Sequence, residues 1–476
     1  MRIRQRAVIQ VLSILIIAGV VAIAGGSSSA SAKPGARVIN GAPVDATTYA
    51  SRWSSIAALV ASGEADARNA QFCGGTFIAP TVVATAAHCV VDADSEILLI
   101  EGTRTKKFNQ RQTVKPTAMS VLGGRRVLSI RNGQRFEVEH ISIHPQYDIG
   151  SNQFDAALIK LKSSPTAASG ITPISPVQPG EDAIWGAGGG VASSPANGPW
   201  VAGWGYRTLP NQSSLFSGQQ HTPINRPTKP TLPKGVTSRS SRSIANGLEQ
   251  ATVPIVSDSA CDTGAPGQGV GYGREFDAVT MLCAGTLDST DSNDLNATTN
   301  GVDTCYGDSG GPMVAMSGTN LRLIGMTSFG SGCATRDTFG VYTRVAAVRD
   351  FIAAEPRKPV VRVKPPVAVG GDEIGSVLRC AKGSWTGAAP LRYSYRWVRL
   401  PKEDSDAEAI GYFSDADVYE RIPGSKATSA YRLRASDRGS RVGCLVFVTG
   451  TGSSAAAASK LHRIAGGDDD EDDDNS

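Results

Sequence analysis

The sequence predicts an all-β chain: two antiparallel β-barrels with a cleft between them, then a C-terminal β-sandwich. Three observations carry this. Short β-branched runs such as 81–85, 137–143 and 323–327 are separated by Gly, Pro and Asn turns. Helical periodicity is scarce, and its clearest case is Val345, Val348 and Ile352 on one helical face, closing the barrel region. At 476 residues the chain is too long for one two-barrel unit, so a second unit is expected.

Arg2, Arg4 and Arg6 precede an apolar run over 7–24 and the small triplet Ala30-Ser31-Ala32. This reads as a secretory signal, 1–32, cleaved after Ala32. An uncleaved anchor is the alternative, because about 20 apolar residues can span a bilayer. No other stretch is apolar enough to span, so the processed chain is expected outside the cell, soluble and free of the membrane. Its eight cysteines then point to disulfides rather than metal ligands. Spacing alone leaves about 105 pairings open.

The chemistry concentrates in Asp303-Thr304-Cys305-Tyr306-Gly307-Asp308-Ser309-Gly310-Gly311-Pro312. Gly307 to Gly311 satisfies Gly-x-Ser-x-Gly, which also marks the nucleophile elbow of α/β-hydrolases. That elbow needs a histidine after the serine, and only His462 follows, beside an acidic tail. Upstream stand Thr85-Ala86-Ala87-His88-Cys89 and, in the apolar run 154–161, Asp155. The order is His, Asp, Ser. A serine hydroxyl is a poor nucleophile until a neutral imidazole takes its proton and a buried carboxylate fixes the imidazole's tautomer. Ser309, His88 and Asp155 are assigned these roles. Glycine at 307 leaves the N–H groups of Gly307 and Ser309 free to face the oxyanion. His140, His144 and His221 are read as surface or loop residues without a role.

At these residues the chain resembles the trypsin-like, chymotrypsin-fold serine peptidases, over 38–355. Gly203-Trp204-Gly205, Val253-Pro254-Ile255-Val256 before Cys261, and Ser328-Phe329-Gly330 followed by Gly340-Val341-Tyr342-Thr343-Arg344-Val345 agree with it. The resemblance implies that Asp303 floors the S1 pocket and that Gly330 and Gly340 line its walls, so protein or peptide substrates carry Arg or Lys at P1. Thr304 and Phe329 stand where the family often has serine and tryptophan. Arg37-Val38-Ile39-Asn40-Gly41 is similar to the family's activation junction. It implies a propeptide at 33–37, cleaved after Arg37 so that the new Val38 ammonium pairs with Asp308. The resemblance also narrows the disulfides to Cys73 with Cys89, Cys261 with Cys283, and Cys305 with Cys333. No cofactor or metal is expected: in the loop 123–136, Gly124, Arg126, Arg131 and Gln134 occupy the calcium-ligand positions of animal trypsins, and Arg125 adds a third arginine.

Two insertions depart from the family. One, 93–115, follows the histidine and is expected to narrow the cleft; the other, 206–246, is rich in Ser, Thr, Pro and bases and is expected to be disordered. Residues 356–368 alternate proline, valine and base and read as an extended linker. Beyond them Cys380, Trp397 and Cys444 follow the pattern of immunoglobulin-like sandwiches, and the unit 369–465 resembles such modules on secreted actinobacterial proteins. Val442 stands where that fold's corner tyrosine belongs. The module either docks the enzyme on a cell-wall or matrix ligand or serves as a spacer. Seven consecutive carboxylates, Asp468 to Asp474, make 466–476 a solvated tail. Net charge is +4, and no groove of interleaved bases and aromatics argues for nucleic acid.

Overall fold

The computed structural model describes residues 38–91, 96–101, 104–109, 113–205, 246–263, 271–288, 301–336, 338–400, 417–450 and 453–465. The signal, the propeptide with Arg37, residues 206–245 with His221, and the tail 466–476 lie outside them.

Six strands close into a barrel in the hydrogen-bonded order Ile56–Ala61, Gln71–Ala79, Val82–Thr85, Ala157–Leu161, Gln134–Ile143 and Met119–Gly123. Successive side chains on a strand point to opposite faces. Leu59, Phe77, Val83, Val121, Phe136 and Ile159 therefore fill the barrel, with Phe77 edge-on to Phe136 at 5.5 Å. Ile56, Ala58, Val60, Ala84 and Leu158 face outward into a second core shared with the next sheet. Burial on both faces explains the nearly unbroken apolar runs.

The second sheet is ordered Ala42–Pro43, Glu249–Thr252, Trp200–Gly203, Pro312–Ser317, Asn320–Phe329, Gly340–Arg344 and Met281–Ala284. Two antiparallel barrels were expected; among the described residues this one is an open sheet, a half-barrel in which Ile255, beyond Glu249–Thr252, bridges Ala284 on the far strand. Val256 N donates to Cys283 O and Gly285 N to Pro254 O, both at 3.0 Å. Pro254 has no N–H to give, which interrupts a continuous ladder there. The helix Val345–Ala353 buries Val345, Val348 and Ile352, the face read from the sequence.

Residues 356–368 are not the free extended linker that was expected. Val361–Lys364 pairs with Ser384–Thr386, Val367–Val369 pairs with Val377–Ala381, and Val360 is buried in the C-terminal core. Pro365 and Pro366 fall between the two strands, where no ladder hydrogen bond is lost. Polar contacts tie this segment to the first barrel: Lys160 Nζ to Glu355 at 2.5 Å, His140 Nε2 to Pro356 O at 3.1 Å, and Ser142 Oγ to Arg357 O at 2.5 Å.

The insertion after His88 also differs from expectation. Glu96–Glu101 and Arg104–Asn109 form an antiparallel hairpin. Glu96–Glu101 pairs in parallel with Asp417–Arg421, adding two strands to the sheet built by Arg392–Arg399, Arg441–Gly450 and Ser453–Ala458. At its base Val91 bridges Thr113, and Val114 N donates to Val90 O at 2.8 Å. A strand edge of the C-terminal unit left its N–H and C=O groups open, and the hairpin supplies their partners.

Candidate active site

His88 sits on the short 3-10 turn Ala87–Cys89, fixed by the Cys73–Cys89 disulfide. Asp155 precedes the strand Ala157–Leu161 and is wholly buried. Its Oδ2 lies 2.8 Å from His88 Nδ1, and its Oδ1 accepts from the His88 backbone N–H at 2.9 Å. Ser328 Oγ adds a second donor to Oδ2 at 2.5 Å. Burial pushes this carboxyl up, but the His88 charge and these hydrogen bonds outweigh it and hold Asp155 below its ordinary range. Burial likewise pulls His88 down, and the facing carboxylate reverses this, leaving its pKa raised above 6.5. Phe154, next to Asp155, is held at φ 53 and stacks on His144 with centroids 4.7 Å apart. A left-handed aromatic residue costs on the order of 1–3 kcal/mol, which this packing offsets.

The turn bearing Ser309 packs against the histidine loop. Cys89 Sγ lies 3.7 Å from His88 Nε2 and 3.6 Å from Ser309 O, and Gly74 N donates to Ser309 O at 2.7 Å. A Cβ on Gly310 would stand 2.9 Å from Ala86 N, so only glycine admits this approach. Among the described residues no hydrogen bond joins Ser309 Oγ to His88. Such contacts are commonly long without substrate and tighten around it. The carbonyls here are all engaged: Gly307 O by Gln71 Nε2 at 2.7 Å, Asp308 O by Gly311 N at 2.8 Å, and Ser309 O by Gly74 N. The N–H groups of Gly307 and Ser309 have no partner among the described residues, while Asp308 N and Gly310 N do.

Asp303, 4 % exposed, packs against Gly340. A Cβ on Gly340 would overlap the Asp303 carboxylate, and one on Gly330 would stand 3.9 Å from Gly340 Cα. Oδ1 accepts from Thr304 N at 2.7 Å and Tyr342 Oη at 3.5 Å, and Oδ2 accepts from Ala334 N at 3.2 Å. Burial dominates, pushing Asp303 up to about 7. Thr304 Oγ1, at the position departing from the family's serine, meets Tyr342 Oη at 3.0 Å. Tyr272 braces the mouth: its hydroxyl donates to Phe339 O at 2.6 Å, accepts from Ser331 N at 3.1 Å, and its ring meets Phe329 edge-on.

Asp308 is 1 % exposed and, among the described residues, accepts only backbone N–H groups, from Gly205 at 2.7 Å and Cys305 at 2.9 Å. Burial raises it to about 6. A Cβ on Gly203 or Gly205 would collide with its carboxylate, which accounts for the Gly-Trp-Gly motif. Val38 is wholly buried, and Ile39 N donates to Asp303 O at 2.8 Å.

The family model described as Trypsin matches residues 44–223 and 217–352. The chain belongs to the trypsin family. It is a serine peptidase, a hydrolase. A curated relative named Trypsin from Saccharopolyspora erythraea is 32% identical over 282 residues, covering 59% of this chain and 86% of that protein. Coagulation factor XI from Bos taurus is 26% identical over 287 residues, 60% of this chain and 34% of the relative. Mannan-binding lectin serine protease 1 from Homo sapiens is 26% identical over 294 residues, 59% and 31%.

In this trypsin-family peptidase the cysteines pair as Cys73–Cys89, Cys261–Cys283, Cys305–Cys333 and Cys380–Cys444. Cys73, His88 and Cys89 cluster closely enough to hold a metal ion, but their sulfurs are joined to each other and offer no thiolates. In the loop 123–136 the Arg125 guanidinium donates to Asn132 O and Leu128 O, so a cation of the chain itself engages those carbonyls. His140 lies in the strand Gln134–Ile143, half-buried, and caps Pro356 O; His144 is in the loop after it, as expected, but buried between Phe154 and Phe351. Gln71 and Tyr272 escaped the sequence reading because each acts through a carbonyl far along the chain, which no local pattern marks.

Proposed function

We propose that the chain is a secreted endopeptidase cutting after Arg or Lys through an acyl-enzyme, made as a zymogen and activated by cleavage after Arg37. The observation that carries the specificity is Asp303: a buried carboxylate with no cationic partner among the described residues, packed against Gly340, where any side chain would overlap it. An entering guanidinium or ammonium supplies the missing charge.

With P1 seated, Ser309 Oγ attacks the scissile carbonyl and its proton passes to His88 Nε2. Asp155 holds the imidazole by Nδ1–H and stabilises the cation that forms. The oxyanion takes the free N–H groups of Gly307 and Ser309; losing one such donor costs about 3 kcal/mol of barrier. His88 then protonates the leaving amine, and water releases the acyl group by the reverse path.

Zymogen control has its own support. Val38 is β-branched yet held at φ 61, where the preceding carbonyl crowds its Cβ. Hydrolysis of the 37–38 bond removes that carbonyl, relieves about 1–3 kcal/mol of strain, and frees an ammonium for the uncompensated Asp308. The C-terminal unit is read as an immunoglobulin-like module: Cys380–Cys444 links the strands Val377–Ala381 and Arg441–Gly450 of two sheets, and Trp397 is buried in the same core. Tyr431, whose hydroxyl donates to Asp437 at 2.7 Å, stacks on that tryptophan.

The test is a burst of product from an arginyl ester by the processed chain, absent in Ser309→Ala. Asp303→Ser is expected to abolish cleavage after Arg; an unchanged P1 preference would refute the pocket assignment.

A further inference from the structure

A cavity of about 510 Å³ in the C-terminal unit is lined by Tyr419, Arg441, Ser459, Lys460, Leu461 and Arg463. Three of these are cations, none is a carboxylate, and no ion pair engages any of the three among the described residues. Two of them are forced together by the backbone: Arg441 and Arg463 are direct cross-strand partners where His462–Arg463 pairs with Arg441–Gly450. Like charges placed opposite each other on a sheet are destabilising unless an anion lies between them. Ser459 Oγ is already committed, accepting from Cys444 N at 3.0 Å and donating to Lys460 O at 2.9 Å, so the cavity's remaining capacity is that of the cations.

We propose that this cavity is an anion site and that its occupant is the chain's own acidic tail, Asp468 to Asp474. Backbone bonds hold the last described residues in place, Ile464 N to Ser440 O at 2.9 Å and Ala465 N to Asp372 O at 3.0 Å. Asp468 is the fifth residue after Arg463, a reach of at most about 18 Å of extended chain. The two glycines between, Gly466 and Gly467, permit the reversal needed to return. Seven carboxylates tethered this closely are present at an effective concentration on the order of millimolar, so even weak pairing fills the site. The tail is then a built-in competitor that keeps external polyanions away from the module until it is displaced.

Zero-length carbodiimide cross-linking joins a carboxylate to a lysine amine only in contact, and Lys460 is the one amine lining the cavity. In full-length Ser309→Ala protein at low salt, mass spectrometry is expected to find Lys460 linked to the peptide 468–474. Arg441→Glu with Arg463→Glu, which leaves Lys460 in place, is expected to abolish that link; Arg441→Gln with Arg463→Gln serves if the first pair does not fold. A link absent from the parent, or retained in the variants, overturns the proposal. Removal of 468–476 is expected to raise affinity for inorganic polyphosphate about ten-fold. Equal affinity with and without the tail would leave the cavity to external polyanions and equally overturn it. None of these readouts requires peptidase activity.

Discussion

Lowering the pH from about 8 to about 6 is expected to weaken binding of a small arylamidinium ligand at Asp303 roughly ten-fold. Burial has moved this carboxyl from 3.8 to about 7, since the donors from Ala334, Thr304 and Tyr342 only partly replace lost water. The ligand needs the ionised form, which makes up about nine-tenths of the population one unit above that value and one-tenth one unit below. Each further unit downward costs about 1.4 kcal/mol of binding. The bound cation draws the pKa back down, so association near pH 6 releases close to one proton. Stability without ligand runs the opposite way. A carboxyl raised on folding favours the folded state fully only below about pH 4, and this is lost as pH rises through about 7, on the order of 4 kcal/mol in all. The ligand should therefore raise the melting temperature more at about pH 8 than at about pH 5. Calorimetric titration in buffers of differing ionisation heat measures affinity and proton release together. His88→Ala with Ser309→Ala as the host removes the imidazole's own titration. Affinity constant over this range, or rising in acid, would refute the account of Asp303.

Further consequences concern the triad, the oxyanion turn and the hairpin. Because Asp155 raises His88 above 6.5, turnover should fall as pH drops through a value on that higher side, where the imidazole becomes charged and cannot accept the Ser309 proton; a profile with its inflection well below it contradicts the paired geometry. Asp155→Asn should lower kcat about ten-thousand-fold, the magnitude established for this change in such triads, with little effect on Asp303 binding. Gln71→Ala should lower kcat about ten-fold while KM hardly moves, because it frees the Gly307 carbonyl and lets the oxyanion donor wander; an equal rise in KM would mean a structural role instead. Leu98→Cys with Val418→Cys should form a disulfide on oxidation, since these residues are register partners across the parallel pair. Its absence by mass spectrometry would place the hairpin elsewhere.

The candidate site residues were legible as a pattern because their chemistry constrains residue type at fixed spacing. Asp303, Gly307, Asp308 and Ser309 lie within one turn, and each glycine near them is required by a close approach to backbone or carboxylate. Barrel strands were legible too, since apolar runs bounded by turns need no distant partner to be recognised. Composition also identified proline and valine over 356–368, but not their fate. Whether such a segment floats or pairs depends on an edge strand elsewhere, here Val377–Ala381 and Ser384–Thr386. The same holds for the insertion after His88, which reads as a cleft-bordering loop until Asp417–Arg421 offers it an open ladder. Sequence alone thus pointed to the candidate catalytic groups and the strand content of this chain, because those follow from side-chain chemistry and local periodicity. Tertiary structure alone decided the partners of Gln71 and Tyr272, the burial that lifts Asp303 and Asp308, and the joining of the C-terminal sheet to the peptidase. Each of these depends on which atoms meet across long stretches of chain, and main-chain hydrogen bonding and desolvation carry no residue code from which to read that.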